Sequence, residues 1–230
     1  MRLIIIRHGE PDYANDCLTE NGRVQAQATA YRLQKENISE IYSSPMGRAK
    51  ETAEYTAKLL NLPINTLDFM HEIGWGYPED MPGLYGGHPW TLASLMLSGQ
   101  SNPLYENNWR EHPYFAQNLC TKQYDHIASE FDNFISSKGY VRTNNVYKNA
   151  ESNDKTIALF CHGGSGACAL SHMLNLDFPY VLSALPYGVC SISIIDFDKL
   201  PSNFVVPRIE LFNDMAHLEQ LKPEELHFEM

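Results

Sequence analysis

Leu3-Ile4-Ile5-Ile6-Arg7-His8-Gly9-Glu10 is the stretch that decides the fold class. The run from Arg2 to Ile6 is short, rich in isoleucine and without polar alternation. It reads as a strand buried on both faces, as strands of parallel sheets are. The turn formers Pro11, Asp12 and Asn15 follow almost at once. The same grammar recurs downstream. Ile38 to Tyr42 reads as a strand running into Ser43-Ser44-Pro45, and Thr156 to Phe160 as one running into Cys161-His162-Gly163-Gly164.

Helical patterns fill the intervals. Thr19 is a suitable N-cap for a helix with Val24, Ala28 and Tyr31 on one face. Ala49, Ala53, Thr56 and Leu60 keep helical spacing, and so do Tyr124, Ile127, Phe131, Phe134 and Ile135. A further helix is expected over Ser165 to Leu174. Pro63 to Phe69 reads as extended, and Val189–Phe197 with Val205–Phe212 as a hairpin. Val141 to Asp154 is polar and reads as a surface excursion. Residues 74–113 differ in texture, dense in Gly, Pro, Trp and Tyr, with a short helix expected around Leu92 to Leu97. The expected fold is α/β, a three-layer sandwich with a mostly parallel central sheet and helices on both faces. It is read as one domain over 1–230, with 74–113 as a specificity excursion.

Composition narrows the function. With 230 residues, 43% hydrophobic and 20% charged, the chain is long enough for a sizeable core and ordinary for a soluble protein. A net charge of −11 without a basic stripe argues against nucleic acid as a partner. The N-terminal apolar run is too short for a signal peptide or a membrane span, so no membrane partner is expected. The five cysteines are odd in number and lack C-x-x-C spacing, which suits reduced thiols in the cytoplasm.

Three polar clusters stand immediately after expected strands: Arg7-His8-Gly9-Glu10, Ser43-Ser44-Pro45 with Arg48, and Cys161-His162-Gly163-Gly164. In an open α/β sheet the ligand crevice lies beyond the carboxyl ends of the strands, so distant clusters converge there. Together they fit phosphoryl transfer, which needs a nucleophile, positive charge around the phosphoryl oxygens and an acid for the leaving oxygen. His8 is the nucleophile candidate, a neutral imidazole attacking through one nitrogen while the other donates its proton. Arg7 and Arg48 suit the clamping of phosphate oxygens, His162 adds a donor, and Glu72 is the acid candidate. Gly163, Thr19 and Trp75 are the further candidates for substrate contact. With Trp75, the excursion's Tyr77, His88, Trp90, Trp109 and His112 either line a pocket for an extended leaving group or form a satellite core.

These blocks resemble the histidine phosphatase superfamily, which includes the cofactor-dependent phosphoglycerate mutases and many small phosphatases. The resemblance continues through Leu18-Thr19-Glu20-Asn21-Gly22, Ser43-Ser44-Pro45-Met46-Gly47-Arg48-Ala49, Glu72-Ile73-Gly74, Cys161-His162-Gly163-Gly164-Ser165, and Asn213-Asp214 with His217-Leu218. It implies a phosphoglycerate mutase-like fold, His8 as the phosphorylated nucleophile, and Arg7, Arg48 and His162 as its phosphate pocket. It further implies Glu72 as proton donor, no metal or cofactor, and a small phosphorylated molecule as substrate.

Departures from the mutase pattern favour the phosphatase branch. Mutases of the superfamily typically place Ser and then Trp-Asn after the first motif, where this chain has Pro11-Asp12-Tyr13-Ala14. They carry Glu-Arg-His-Tyr-Gly where this chain has His71-Glu72-Ile73-Gly74-Trp75, and Gly-Asn-Ser where it has Gly163-Gly164-Ser165. Two alternatives stay open: a mutase-type phosphotransferase and a non-catalytic member that binds a phosphorylated ligand. A metal-dependent hydrolase lacks support, since no H-E-x-x-H motif occurs.

Overall fold

The computed structural model describes residues 1–79, 83–99, 108–151, 153–185, 188–197 and 203–219. The parts of the expected excursion at 80–82 and 100–107 lie outside the described residues.

The isoleucine-rich run forms β1 (Arg2–Arg7). It is parallel to β8 (Thr156–Cys161), in register from Arg2 opposite Thr156 to Arg7 opposite Cys161. β8 pairs in parallel with β4 (Glu40–Ser43), and β4 with β5 (Ile64–Thr66). On the other side β9 (Ile192–Asp196) is antiparallel to β1, and β11 (Arg208–Asp214) antiparallel to β9. The order is β11-β9-β1-β8-β4-β5. Only β9 runs against the rest of this mostly parallel sheet.

Alternate side chains of the central strands feed two cores. Leu3, Ile5, Ile157 and Leu159 pack with residues of α3 (Pro89–Ser98), α4 (Leu119–Ser137), α5 (Gly163–Leu174) and α6 (Phe178–Ala184). Ile4, Ile6, Ala158, Phe160, Ile192 and Ile194 pack with Leu33 of α1 (Glu20–Leu33) and with Ala53 and Ala57 of α2 (Gly47–Leu60). Burial on both faces is why the interiors of β1 (residues 3–6) and β8 (residues 157–160) lack polar residues, and each such aliphatic side chain contributes about 1.5–3 kcal/mol. The result is the expected three-layer α/β architecture. All of Tyr124, Ile127, Phe131, Phe134 and Ile135 are buried, as their spacing predicts.

Two expectations fail. In α1 the buried face is Gly22, Gln25, Ala26, Thr29, Ala30 and Leu33, whereas Tyr31 is 56% exposed. Small residues let α1 approach α2 closely, and the buried polar groups are satisfied. Gln25 Oε1 accepts the Glu10 N–H at 2.9 Å, and the Thr29 hydroxyl donates to Gln25 O at 2.8 Å. The segment 141–154 is not merely a surface excursion. Val141–Thr143 continue the strand β6 (Tyr140–Thr143), which turns through left-handed Asn144 into β7 (Val146–Asn149). β7 then pairs with β10 (Phe204–Val205). Tyr140 and Tyr147 are fully buried against Phe197, so two aromatic anchors hold an otherwise polar hairpin. Among the described residues no helix is long and apolar enough to cross a membrane.

Candidate active site

β1, β8 and β4 are parallel neighbours, so the residues just past their carboxyl ends sit side by side. Adjacent strands are spaced by about 4.8 Å. His8 follows β1 and His162 follows β8, and their ring centroids are 5.1 Å apart. Ser44, which follows β4, places its hydroxyl 2.7 Å from His162 Nε2. Register alone brings these three together.

His8 is 1% exposed and held from several sides. Its N–H donates to Cys161 O at 3.0 Å, and its carbonyl accepts the Cys190 N–H at 3.2 Å. Its Nδ1 lies 2.7 Å from Gly9 O, an acceptor only, so that nitrogen carries the proton. Nε2 therefore presents a lone pair, with Arg48 Nε at 3.3 Å. Burial, then the charge of Arg7, outweigh the Gly9 carbonyl and, with Arg48, hold the His8 pKa down at about 3. His162 is also shifted well below the usual imidazole range, first by burial and then by His8, Arg48 and Arg7. At neutral pH both rings are uncharged, one suited to attack and the other to donate a hydrogen bond.

Arg48 sits in the first turn of α2 and is buried. Its Nη1 pairs with Asp16 Oδ1 at 2.6 Å, and Asp16 Oδ2 accepts the Gly47 N–H at 2.7 Å. Asp16 has a left-handed φ of 48° in the loop joining β2 (Pro11–Asp12) to β3 (Cys17–Leu18). Its burial is outweighed by the Gly47 and Arg48 bonds, which lower its pKa. Thr52, one turn after Arg48, donates to Arg48 O at 2.7 Å and accepts the Gly9 N–H at 3.0 Å. The α2 helix and the His8 loop are thereby tied.

Glu72 closes the other side. Its Oε1 accepts N–H bonds from Ile73 at 2.9 Å and from Gly164 and Ser165 at 3.0 Å each. The carboxylate thereby caps the N-terminus of α5. Gly164 is required there: a Cβ would stand 2.3 Å from Ile73 Cγ1 and 2.6 Å from Glu72 Oε1. The neighbouring Gly163 lies against Arg7, whose Nε and Cζ would be 3.7 and 3.8 Å from a Cβ built on it. Since Asp16 and Glu72 occupy the N-termini of α2 and α5, an arriving oxyanion meets side chains, not a bare helix end.

Arg7, His8, Arg48, His162 and Gly163 thus fall in one cleft, with Glu72 at its edge. Thr19 does not turn into it. Its hydroxyl accepts the Gly22 N–H at 3.0 Å as the α1 N-cap and donates to Glu10 Oε1 at 2.7 Å. The aromatics of the excursion divide. Trp109 is buried with Phe115, Tyr124 and Phe178, a satellite core, whereas Trp75, His88 and Trp90 form a ring cluster near Gly163. Sequence reasoning placed Ser44 in a strand-end cluster without giving it a role, and missed Asp16 and Thr52. The position of Ser44 after a parallel strand was a usable signal, and so was Thr52 at i+4 from Arg48. Asp16 had none, because its role depends on loop geometry. Among the described residues no group of three or more His, Cys, Asp or Glu is placed to hold a metal ion.

The profile of the histidine phosphatase superfamily (branch 1) matches residues 3–86. The probable phosphoglycerate mutase GpmB of Yersinia pestis is 30% identical, covering 98% of this chain and 99% of that protein. The 2,3-bisphosphoglycerate-dependent phosphoglycerate mutase of Thermoplasma acidophilum is 38% identical over 101 residues, 37% of this chain but only half (50%) of that protein. Among solved structures, a phosphoserine phosphatase variant of Entamoeba histolytica bound to phosphoserine superposes with a TM-score of 0.64 at 20% identity, covering 94% and 98% of the two chains. A mycobacterial glucosyl-3-phosphoglycerate phosphatase with inorganic phosphate gives 0.63 at 23% identity, with 94% and 98% covered. The full-length kinship at the sequence level, joined to this fold and these strand-end clusters, makes the chain a member of the histidine phosphatase superfamily.

Proposed function

We propose that the protein is a metal-independent phosphatase that hydrolyses a small phosphorylated molecule through a phosphohistidine on His8. The observation that carries this reading is the His8 imidazole, its Nδ1 proton engaged by Gly9 O and its Nε2 lone pair facing Arg48. Nε2 attacks phosphorus in line while Arg7, Arg48 and His162 bind the equatorial oxygens. Glu72 protonates the leaving oxygen, then takes a proton from the water that releases phosphate from His8. Gly163 and Trp75 border the substrate, and Thr19 caps α1 outside the site.

The second reading is a mutase, which returns the phosphoryl group to a second hydroxyl instead of to water. It is favoured by the full-length similarity to GpmB. The loop Pro11-Asp12-Tyr13-Ala14 and the pair Gly163-Gly164 weigh against it, being unlike the mutase pattern.

The two readings separate in a chelator-treated assay of phosphate release from aryl, sugar, nucleotide and phosphoserine esters. A parallel assay follows phosphoglycerate interconversion with 2,3-bisphosphoglycerate present. Chelator-resistant release with an acid-labile enzyme phosphate is expected. Interconversion without hydrolysis would assign the chain to the mutases.

The role given to Glu72 makes a separate demand. Gly164→Ala pushes a methyl into the Glu72 carboxylate and should slow alkyl ester hydrolysis by at least about tenfold. Activated aryl esters, which need little proton donation, should lose less. Equal losses on both would detach Glu72 from leaving-group protonation.

A further inference from the structure

Trp75, His88 and Trp90 meet in a corner. Trp75 stands edge-on to His88 at 5.3 Å and to Trp90 at 5.9 Å, and His88 lies 5.2 Å from Trp90 at an interplanar angle of 32°. The corner is open to solvent, with Trp75 44% exposed. It also touches the reaction cleft. Trp90 Cζ2 would be 3.8 Å from a Cβ on Gly163, at the same glycine that Arg7 flanks. On the opposite side Arg48 lies over the Tyr13 ring at 5.4 Å.

Charge around the cleft is one-sided. Residues 9–19 contain no Lys or Arg but three carboxylates, Glu10, Asp12 and Asp16. In residues 74–113 the only Lys or Arg is Arg110. That guanidinium is bound to Asp125 at 2.9 Å and lies over the Trp109 and Tyr124 rings. Burial pushes the His88 pKa down, so its ring adds no charge at neutral pH. With Arg7 and Arg48 committed to the transferred phosphoryl group, neither bordering segment offers a cation to a second anionic group. A carboxylate or second phosphate on the leaving group would meet no cation from either segment to balance it.

We infer that the enzyme takes phosphomonoesters whose leaving group is uncharged and presents a flat apolar face to Trp75, His88 and Trp90. The inference rests on the phosphatase reading above and names its substrate class. Both an aromatic ring and the face of a sugar have this chemistry.

The test compares kcat/KM for benzyl phosphate, glucose 6-phosphate, phosphoglycolate and 3-phosphoglycerate. All four release a primary alkoxide, so differences report recognition rather than leaving-group reactivity. Benzyl phosphate or glucose 6-phosphate should exceed both anionic esters by about tenfold or more, since an apolar face stacks on the rings while an added charge meets no cation. Which of the two leads identifies the face as ring or sugar. Trp90→Ala should lower the preference of the leading ester over 3-phosphoglycerate about tenfold through KM, and Trp90→Phe should restore it. In the wild-type protein, benzylphosphonate should quench tryptophan fluorescence at lower concentration than phosphonoacetate, a readout that needs neither turnover nor a folded variant. Preference for the anionic esters, an unmoved ratio in Trp90→Ala, or tighter phosphonoacetate binding would overturn the inference while His8-dependent release upheld hydrolysis. No His8-dependent release from any ester would overturn both.

Discussion

Replacing His8 with alanine should remove phosphate release by about four orders of magnitude or more and abolish the acid-labile enzyme phosphate, while the fold survives. The ring contributes chemistry that no neighbour supplies. His162 is 5.1 Å away but has its Nε2 engaged with Ser44, and among the described residues no other imidazole is ranged against Arg48 Nε. The structural cost is modest, since the change leaves Gly9 O without its Nδ1 donor, a loss on the order of 1–2 kcal/mol. Stability itself should respond in a second way. The folded His8 pKa, about 3, lies below the ordinary value of 6.5, so the unfolded chain binds more protons between these values. Stability therefore falls as pH drops through that window, and His8→Ala should flatten this acid limb. Denaturation at pH 7 and pH 5 measures the difference. Activity near wild type in the variant would remove His8 from the mechanism, and an unchanged acid limb would mean the ring is not buried neutral.

The parts of the molecule legible in the sequence are those governed by short-range rules. β1 and β8 were readable because the interiors of strands buried on both faces are continuous apolar runs, and the clusters after them because parallel strands deliver their carboxyl ends to one crevice. The α4 face was readable from its large apolar residues. The α1 face was not, since close approach to α2 selects small residues and tolerates Gln25 and Thr29 once they are hydrogen-bonded. A periodicity rule that seeks bulk chooses Tyr31 there and fails. The β6–β7 hairpin escaped for a related reason, because only two buried tyrosines, Tyr140 and Tyr147, anchor a polar sequence. In the site, Glu72 was identifiable as the acid candidate. Its seat on the α5 N-terminus was not, because that contact joins residues separated by 92 positions in the chain. Trp75 and Trp109 looked alike in sequence. Only packing separates the one at the cleft from the one buried under Phe178.

Arg48→Ala should lower kcat about 10²- to 10³-fold, the loss expected for one preorganised donor at a developing charge. Arg48→Lys should recover little. The guanidinium uses separate nitrogens for separate tasks, Nε toward His8 Nε2 at 3.3 Å and Nη1 toward Asp16 Oδ1 at 2.6 Å. A single ammonium reaches one of these positions at a time. Asp16 is a positioning residue in this scheme, for it holds Arg48 from the side away from His8 and anchors to the Gly47 N–H. Asp16→Asn keeps the shape but weakens the grip, and should cost about tenfold, chiefly in kcat. Because Asp16 acts through Arg48, the double variant Asp16→Asn/Arg48→Ala should be little worse than Arg48→Ala alone. Additive losses in that cycle would mean that Asp16 meets the substrate directly. The loop that carries it would then belong to the substrate-binding surface and not to the support of the arginine.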